Sequence, residues 1–290
     1  MFDLRYHVAS LAAVFVALLI GILVGVGLTG KVDDAEKNEL RRRAGAAESQ
    51  LQSINEQQAT ARRESNALRR LGVLGYPLLM EDRLRERRVA LLFVGPVDET
   101  VQSSVTTALE DAGARGLTRM RALKLPVDQG RIDSALAGQA SLTRYQGPER
   151  LRELGRLLGH EFVVGGDAEA WDELSSDLVI GQSGRARPPV EGVVVVRTVD
   201  PQEGDTARFL RGLYEGLADT GVPAVGVEKT SDNPSAIEVL DRAGLSSVDN
   251  IETAPGRAAL ALLLAGGEPG RYGVKETAER PLPEEPADGG

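Results

Sequence analysis

Residues 8–28 of this chain, VASLAAVFVALLIGILVGVGL, run for 21 positions with no charge and one polar side chain, Ser10. As a helix this is about the length needed to cross roughly 30 Å of hydrocarbon, so the sequence predicts a single transmembrane anchor over residues 1–30. A cleaved signal peptide is the alternative, but its apolar region is usually shorter, and no A-x-A site with a mature domain behind it comes after Leu28. Small residues recur at every fourth position, Ala9, Ala13, Ala17, Gly21 and Gly25. Such a ridge lets two helix backbones approach where lipid gives no hydrophobic drive for pairing, and these five positions are the expected membrane-helix dimer interface. Gly25, Gly27 and Gly30 also fit the dinucleotide pattern G-x-G-x-x-G, but the pattern needs a strand before it and a helix after it, and here it ends an apolar helix.

The next segment, residues 31–71, holds no Pro and only Gly45 as a glycine, and is rich in Ala, Glu, Gln, Arg and Leu. These are strong helix formers, so the segment reads as helix throughout. Leu40, Ala47, Ile54, Ala61 and Leu68 fall at one heptad position, and Ala44, Leu51, Gln58 and Ser65 at the other. That is a thin coiled-coil seam, carried by Leu40, Ala44, Ala47, Leu51, Ile54, Ala61 and Leu68. A fully helical stalk of this length would reach roughly 60 Å at about 1.5 Å per residue and hold the globular part away from the bilayer; a helix folded back on the domain is the alternative. Basic residues lie on both sides of the apolar run, Arg5 before it and Lys31, Lys37, Arg41, Arg42 and Arg43 after it. Taken alone, this bias places the large domain in the cytoplasm.

From about residue 72 the pattern changes to an α/β domain, expected over residues 72–274. Residues 88–94, RVALLFV, are a continuous apolar strand closed by Gly95-Pro96 and followed by a helix over residues 99–112. An apolar strand joined to a helix marks a mostly parallel sheet covered on both faces. Further strands are expected at residues 117–125, 162–164, 178–180, 193–196 and 224–227, with helices at 206–218, 235–243 and 256–265. The alternation gives a Rossmann-like α/β fold. The polar, Pro-rich end, residues 281–290 within a segment 275–290, reads as a disordered tail.

Chemistry is sparse. The chain has no cysteine, which excludes disulfides, thiolate metal sites, iron–sulfur clusters and a cysteine nucleophile. A net charge of −9 with mixed-sign patterning leaves no basic stripe for nucleic acid. His7 and His160 are the two histidines; no Ser–His–acid set, H-E-x-x-H or Walker sequence can be built, so no catalytic residue is expected and the protein reads as a non-enzyme. Gly165-Gly166-Asp167 could cradle an anion on its backbone N–H groups, or be a tight turn with Asp167 as a helix N-cap. Pairs such as Asp98-Glu99 and Glu284-Glu285 read as solvated surface, and Trp171, at helical spacing from Leu174, as core.

Three stretches together resemble a known family: Leu4-Arg-Tyr-His-Val-Ala-Ser-Leu-Ala-Ala-Val-Phe-Val-Ala-Leu18 with Ile20-Gly21, then Ser247-Val-Asp-Asn250, then Pro255-Gly-Arg257 through Leu264 with Gly266-Gly267 and Tyr272-Gly273-Val274. They are similar to the actinobacterial MctB family of copper transport outer-membrane proteins, whose members are also called SteB, partner of SteA in cell-envelope and division work. The resemblance implies a membrane-anchored envelope protein with an extracytoplasmic domain. Its role would be either in copper efflux and homeostasis or as a scaffold for a SteA-like partner. The expected partners are membrane lipid, a second copy of the chain and such an envelope protein, with no nucleic acid. Copper(I) favours soft sulfur and copper(II) favours imidazole, but the chain offers only Met1, Met80, Met120, His7 and His160, scattered in sequence. No copper site or other cofactor is therefore expected within one chain. A β-barrel pore needs strands of about ten alternating residues, which VALLFV and VVVV are not.

Overall fold

The computed structural model describes residues 4–28, 34–184 and 188–284, the side chains of residues 4–9, 26–28, 34–37, 68 and 69 excepted. The chain divides into two compact units, Met1–Leu68 and Arg69–Gly290.

The first unit contains helix α1 (Leu4–Leu28) and most of helix α2 (Asp34–Met80). The membrane-spanning expectation is corrected: among the described residues no helix is long and apolar enough to cross a membrane. Helix α2 outlasts its expected end at residue 71, passing Gly72, Gly75 and Pro77. Its last turns are held by packing within the second unit, where Met80 and the following Leu84 are buried among apolar side chains. The Tyr76 hydroxyl donates to Asp111 Oδ2 at 2.7 Å.

The second unit holds β1 (Val89–Val94), α3 (Glu99–Asp111), β2 (Leu117–Leu123), α4 (Gln129–Leu136), α5 (Leu151–Val164), α6 (Glu169–Leu178), β3 (Val179–Gly184), β4 (Gly192–Arg197), α7 (Gly204–Ala218), β5 (Ala224–Val227), α8 (Ile237–Arg242), β6 (Ser246–Val248), α9 (Ala254–Leu264) and β7 (Arg271–Tyr272). The α/β class is as expected, but the sheet is mixed: order β3-β2-β1-β4-β5-β6-β7, with β3 antiparallel to β2 and the other pairs parallel. All six residues of β1 are buried. Ala90, Leu92 and Val94 face a core shared with α5, α6 and α7, while Val89, Leu91 and Phe93 face a second core shared with α3 and α9. Burial on both faces is why the strand is apolar throughout rather than alternating.

Residues 162–164, expected as a strand, form the last turn of α5. Leu151, Leu154, Leu158 and Phe162 recur at helical spacing and are all fully buried, so the core stripe of the helix outweighs the β preference of Phe-Val-Val. The 178–180 expectation also shifts: Leu178 ends α6 and the strand begins at Val179. The expected tail is ordered as far as Glu284. The Glu279 N–H donates to Arg271 O at 2.8 Å, and Leu282 packs against the second core; residues 285–290 lie outside the described residues.

Helices α5 and α7 meet glycine to glycine. A Cβ on Gly155, Gly159, Gly212 or Gly216 would stand 1.9–2.3 Å from a backbone oxygen of the facing helix. The ion pairs Arg152–Glu215 and Arg156–Asp219, both 2.6 Å, flank the crossing.

Candidate functional site

The chain passes from β1 to β2 on one side of the sheet and returns to β4 on the other. In open α/β sheets this reversal leaves a crevice outside the carboxyl ends of the strands. Such a crevice, of about 470 Å³, is lined here by Asp98, Arg197, Thr198, Asp200, Lys229 and Asp232, among others. The loops after β1 and β4 touch: Gly95 has φ +118°, and a Cβ there would lie 2.6 Å from Thr198 Oγ1. Thr198 Oγ1 donates to Pro96 O at 2.7 Å.

Asp98 is the N-cap of α3, accepting from the Val101 N–H at 3.0 Å. Its second oxygen accepts from Lys229 Nζ. Partial burial pushes the Asp98 carboxyl up, but the bonds from Lys229 and Val101 outweigh it and hold the group below its ordinary range. Lys229 is raised, chiefly by the same bond to Asp98, and its N–H donates to Asp232 Oδ2 at 2.9 Å. The reading of Asp98 as solvated surface is thus corrected. The Asp at the position before Glu99, where a helix was already expected, is the N-cap signature that could have shown it. Arg197 donates to Pro234 O.

Below the crevice lies a buried polar framework. Glu228, 3% exposed, accepts from Ser235 Oγ at 2.8 Å, from the Ala236 N–H at 2.7 Å and from Lys275 Nζ at 2.6 Å. Lys275 also donates to Asp232 O at 2.7 Å. Fully buried Asp249 accepts from the N–H groups of Val274 and Lys275 at 2.7 and 2.9 Å. Gly273 must be glycine, since a Cβ there would lie 1.9 Å from Asp249 Oδ1. Two of the stretches that carry the family resemblance therefore converge in space: residues 247–250 and 272–274 clamp Lys275, which ties them to the crevice. Arg257, from the same set, donates from Nε to Tyr76 OH at 3.3 Å and stacks 5.6 Å from that ring. Burial first, and then the bond to Asp111, push the Tyr76 hydroxyl up to about 12.

The sequence-selected metal candidates do not meet. Met80 and Met120 belong to the core on one face of the sheet, whereas His160 is exposed on α5, which covers the other face. Among the described residues no group of three His, Cys, Asp or Glu side chains is placed to hold a metal ion. The side chains of Met1 and His7 lie outside the described residues. Of the small-residue ridge, Ala13, Ala17, Gly21 and Gly25 are exposed on α1, and the Ala9 side chain lies outside the described residues. Of the seam, Leu40, Ala44, Ala47, Leu51, Ile54 and Ala61 are exposed on α2, and the Leu68 side chain lies outside the described residues. Gly165-Gly166-Asp167 is the turn between α5 and α6. Asp167 is not the cap: α6 starts from Ala168 without a side-chain cap bond, and Glu161 accepts from the N–H groups of Ala170 and Trp171 instead. Trp171 is core, as expected, at 1% exposure, with its indole N–H donating to Leu158 O at 2.7 Å.

Sheet order, two-faced core and switch-point crevice define an α/β protein of the doubly wound type, preceded by a long helical segment. The chain belongs to the family described as copper transport outer membrane protein, MctB, which it matches over residues 1–283. It is 22% identical to the copper transporters MctB of Mycobacterium bovis and of Mycobacterium tuberculosis, over 94% of this chain and 96% of each relative.

Proposed function

We propose that this chain serves copper homeostasis at the cell envelope as a non-enzymatic component without a copper site of its own, acting through contacts with other envelope proteins. The observation that carries this reading is the separation of the candidate copper ligands among the described residues: Met80 and Met120 are buried in one core and His160 stands on the opposite layer. Family membership supports the copper role. The family's description as an outer membrane protein supports an extracytoplasmic position for the second unit.

A scaffold role toward a SteA-like partner is the second reading. It is favoured by apolar residues of the expected seam left uncovered on α2, with Leu51 60% and Ile54 43% exposed, because uncovered apolar side chains grouped on one face mark contact surfaces. A second copy of the chain is the partner we expect on the same helix.

Titration of the purified full-length chain with copper(I) against a competing chelator tests the first reading. We expect no stoichiometric binding above that of the chelator. Stoichiometric uptake that disappears in Met120→Ala or His160→Ala would overturn it and make the chain a copper carrier.

A further inference from the structure

The crevice at the switch point lies outside the copper reading and carries a chemistry of its own. In sheets of this kind an anionic ligand commonly rests on the N-terminus of the helix after the first strand. Here that place is taken, because the Asp98 carboxylate caps α3 and is neutralised by Lys229. A phosphate would meet a carboxylate where it needs free N–H groups, and the β1 turn at Gly95 packs closely against Thr198 and Val199.

Most of the charges lining the crevice have a partner of opposite sign: Lys229 lies against both Asp98 and Asp232, and Lys275 against Glu228. Two have none among the described residues. Among the described residues the Arg197 guanidinium donates only to the carbonyl oxygen of Pro234, a neutral acceptor, which leaves most of its five N–H donors unused there. Asp200, three residues on, has a carboxylate that accepts no hydrogen bond among the described residues, although its own carbonyl accepts from Gln202 at 2.8 Å. One unanswered cation and one unanswered anion thus border a single crevice of about 470 Å³, with the apolar Val196 and Val199 beside them in the lining. A guanidinium matches a carboxylate with two parallel hydrogen bonds, and a carboxylate accepts an ammonium.

We infer that this crevice binds a small zwitterion, an amino acid or a short peptide with free termini, its carboxylate on Arg197 and its ammonium on Asp200. The two charges of such a ligand are the complement of the two left unpaired, whereas nucleotides are turned away by Asp98.

Isothermal titration calorimetry of the full-length chain with glycine and with glycylglycine tests this, using the N-acetylated and C-amidated dipeptides and ADP as comparison probes. Saturable one-to-one binding of at least one zwitterion is expected. Asp200→Asn should weaken it by tenfold or more while leaving binding of the N-acetylated dipeptide unchanged. Arg197→Gln should weaken it likewise while leaving the C-amidated form unchanged. Because Arg197→Gln also loses the bond to Pro234, Arg197→Lys, which keeps the charge but not the fork, serves as a second variant and should recover part of the affinity. The absence of saturable heat with both zwitterions, equal binding of the blocked dipeptides to the parent chain, or tighter binding of ADP would each overturn the inference. None of these outcomes bears on the copper titration, so the two readings fail separately.

Discussion

Adding one methyl group at the α5–α7 crossing should cost more stability than any single surface change in the domain. In Gly212→Ala the new Cβ would stand 1.9 Å from Arg152 O and 2.7 Å from its carbonyl carbon, whereas ordinary contact begins at 3.4 Å. The facing atom is backbone, so no side chain can swing away, and the helices must part by about 1.5 Å, a displacement of the overpacking kind that costs about 1–3 kcal/mol or more. That movement loosens the buried Phe209, Leu213 and Leu217 from the core and stretches the ion pairs of Arg152 with Glu215 and Arg156 with Asp219. Against it stands the helix preference of Ala over Gly, at most about 1 kcal/mol. The net loss is about 2 kcal/mol, which in a unit of this size lowers the thermal midpoint by roughly 4–8 °C. Circular dichroism melts of the full chain measure it, with Gly72→Ala as the internal control. Gly72 also lies inside a helix, but a Cβ there meets nothing within 4 Å, so that substitution should leave the midpoint unchanged or raise it. If Gly212→Ala melts at or above the parent temperature, the close glycine contact is not what sets the crossing, and the reasoning fails.

The crevice and its framework give two more expected outcomes. Because the Asp98 carboxyl is held below its ordinary range in the folded chain, its contribution to stability is complete above the unfolded value near ~4 and disappears as pH falls through the folded one. The midpoint difference between the parent and Asp98→Asn should therefore be full at pH 6 and shrink below about pH 4; a difference that does not change with pH would contradict the pairing with Lys229. In Gly273→Ala, a φ of +139° and a Cβ 1.9 Å from Asp249 Oδ1 should release the Lys275 turn and cost about 3 kcal/mol in urea denaturation, in the range of strained-backbone substitutions. Gly266→Ala, at φ +100° but with nothing within 4 Å, should cost clearly less, and equal losses would remove the role given to Asp249.

The class of the domain is legible in the local hydrophobic pattern of the chain. The runs that became β1, β4 and β5 are apolar because both faces of the sheet are covered, and that pattern is local and visible. The sequence also showed the residues behind the family resemblance, and the helical character of residues 34–71. Tertiary structure decided where local signals tie or mislead. Phe162-Val-Val164 has strand preference, yet the heptad-like stripe from Leu151 makes it helix, because burying that stripe outweighs propensity. Arg119 and Arg121 alternate with apolar residues along β2, yet they are 3% and 8% exposed. Arg119 donates to Phe162 O at 2.7 Å, and Arg121 stacks 5.2 Å from the ring of Trp171, partners that exist only once α5 and α6 are in place. The crevice was hidden for the same reason. Asp98 and Lys229 come from the loops after β1 and β5 and Arg197 from the end of β4, and only the reversal of strand order between β1 and β4 brings them to one edge, since periodicity reports which face a residue takes but not which neighbour the sheet will give it.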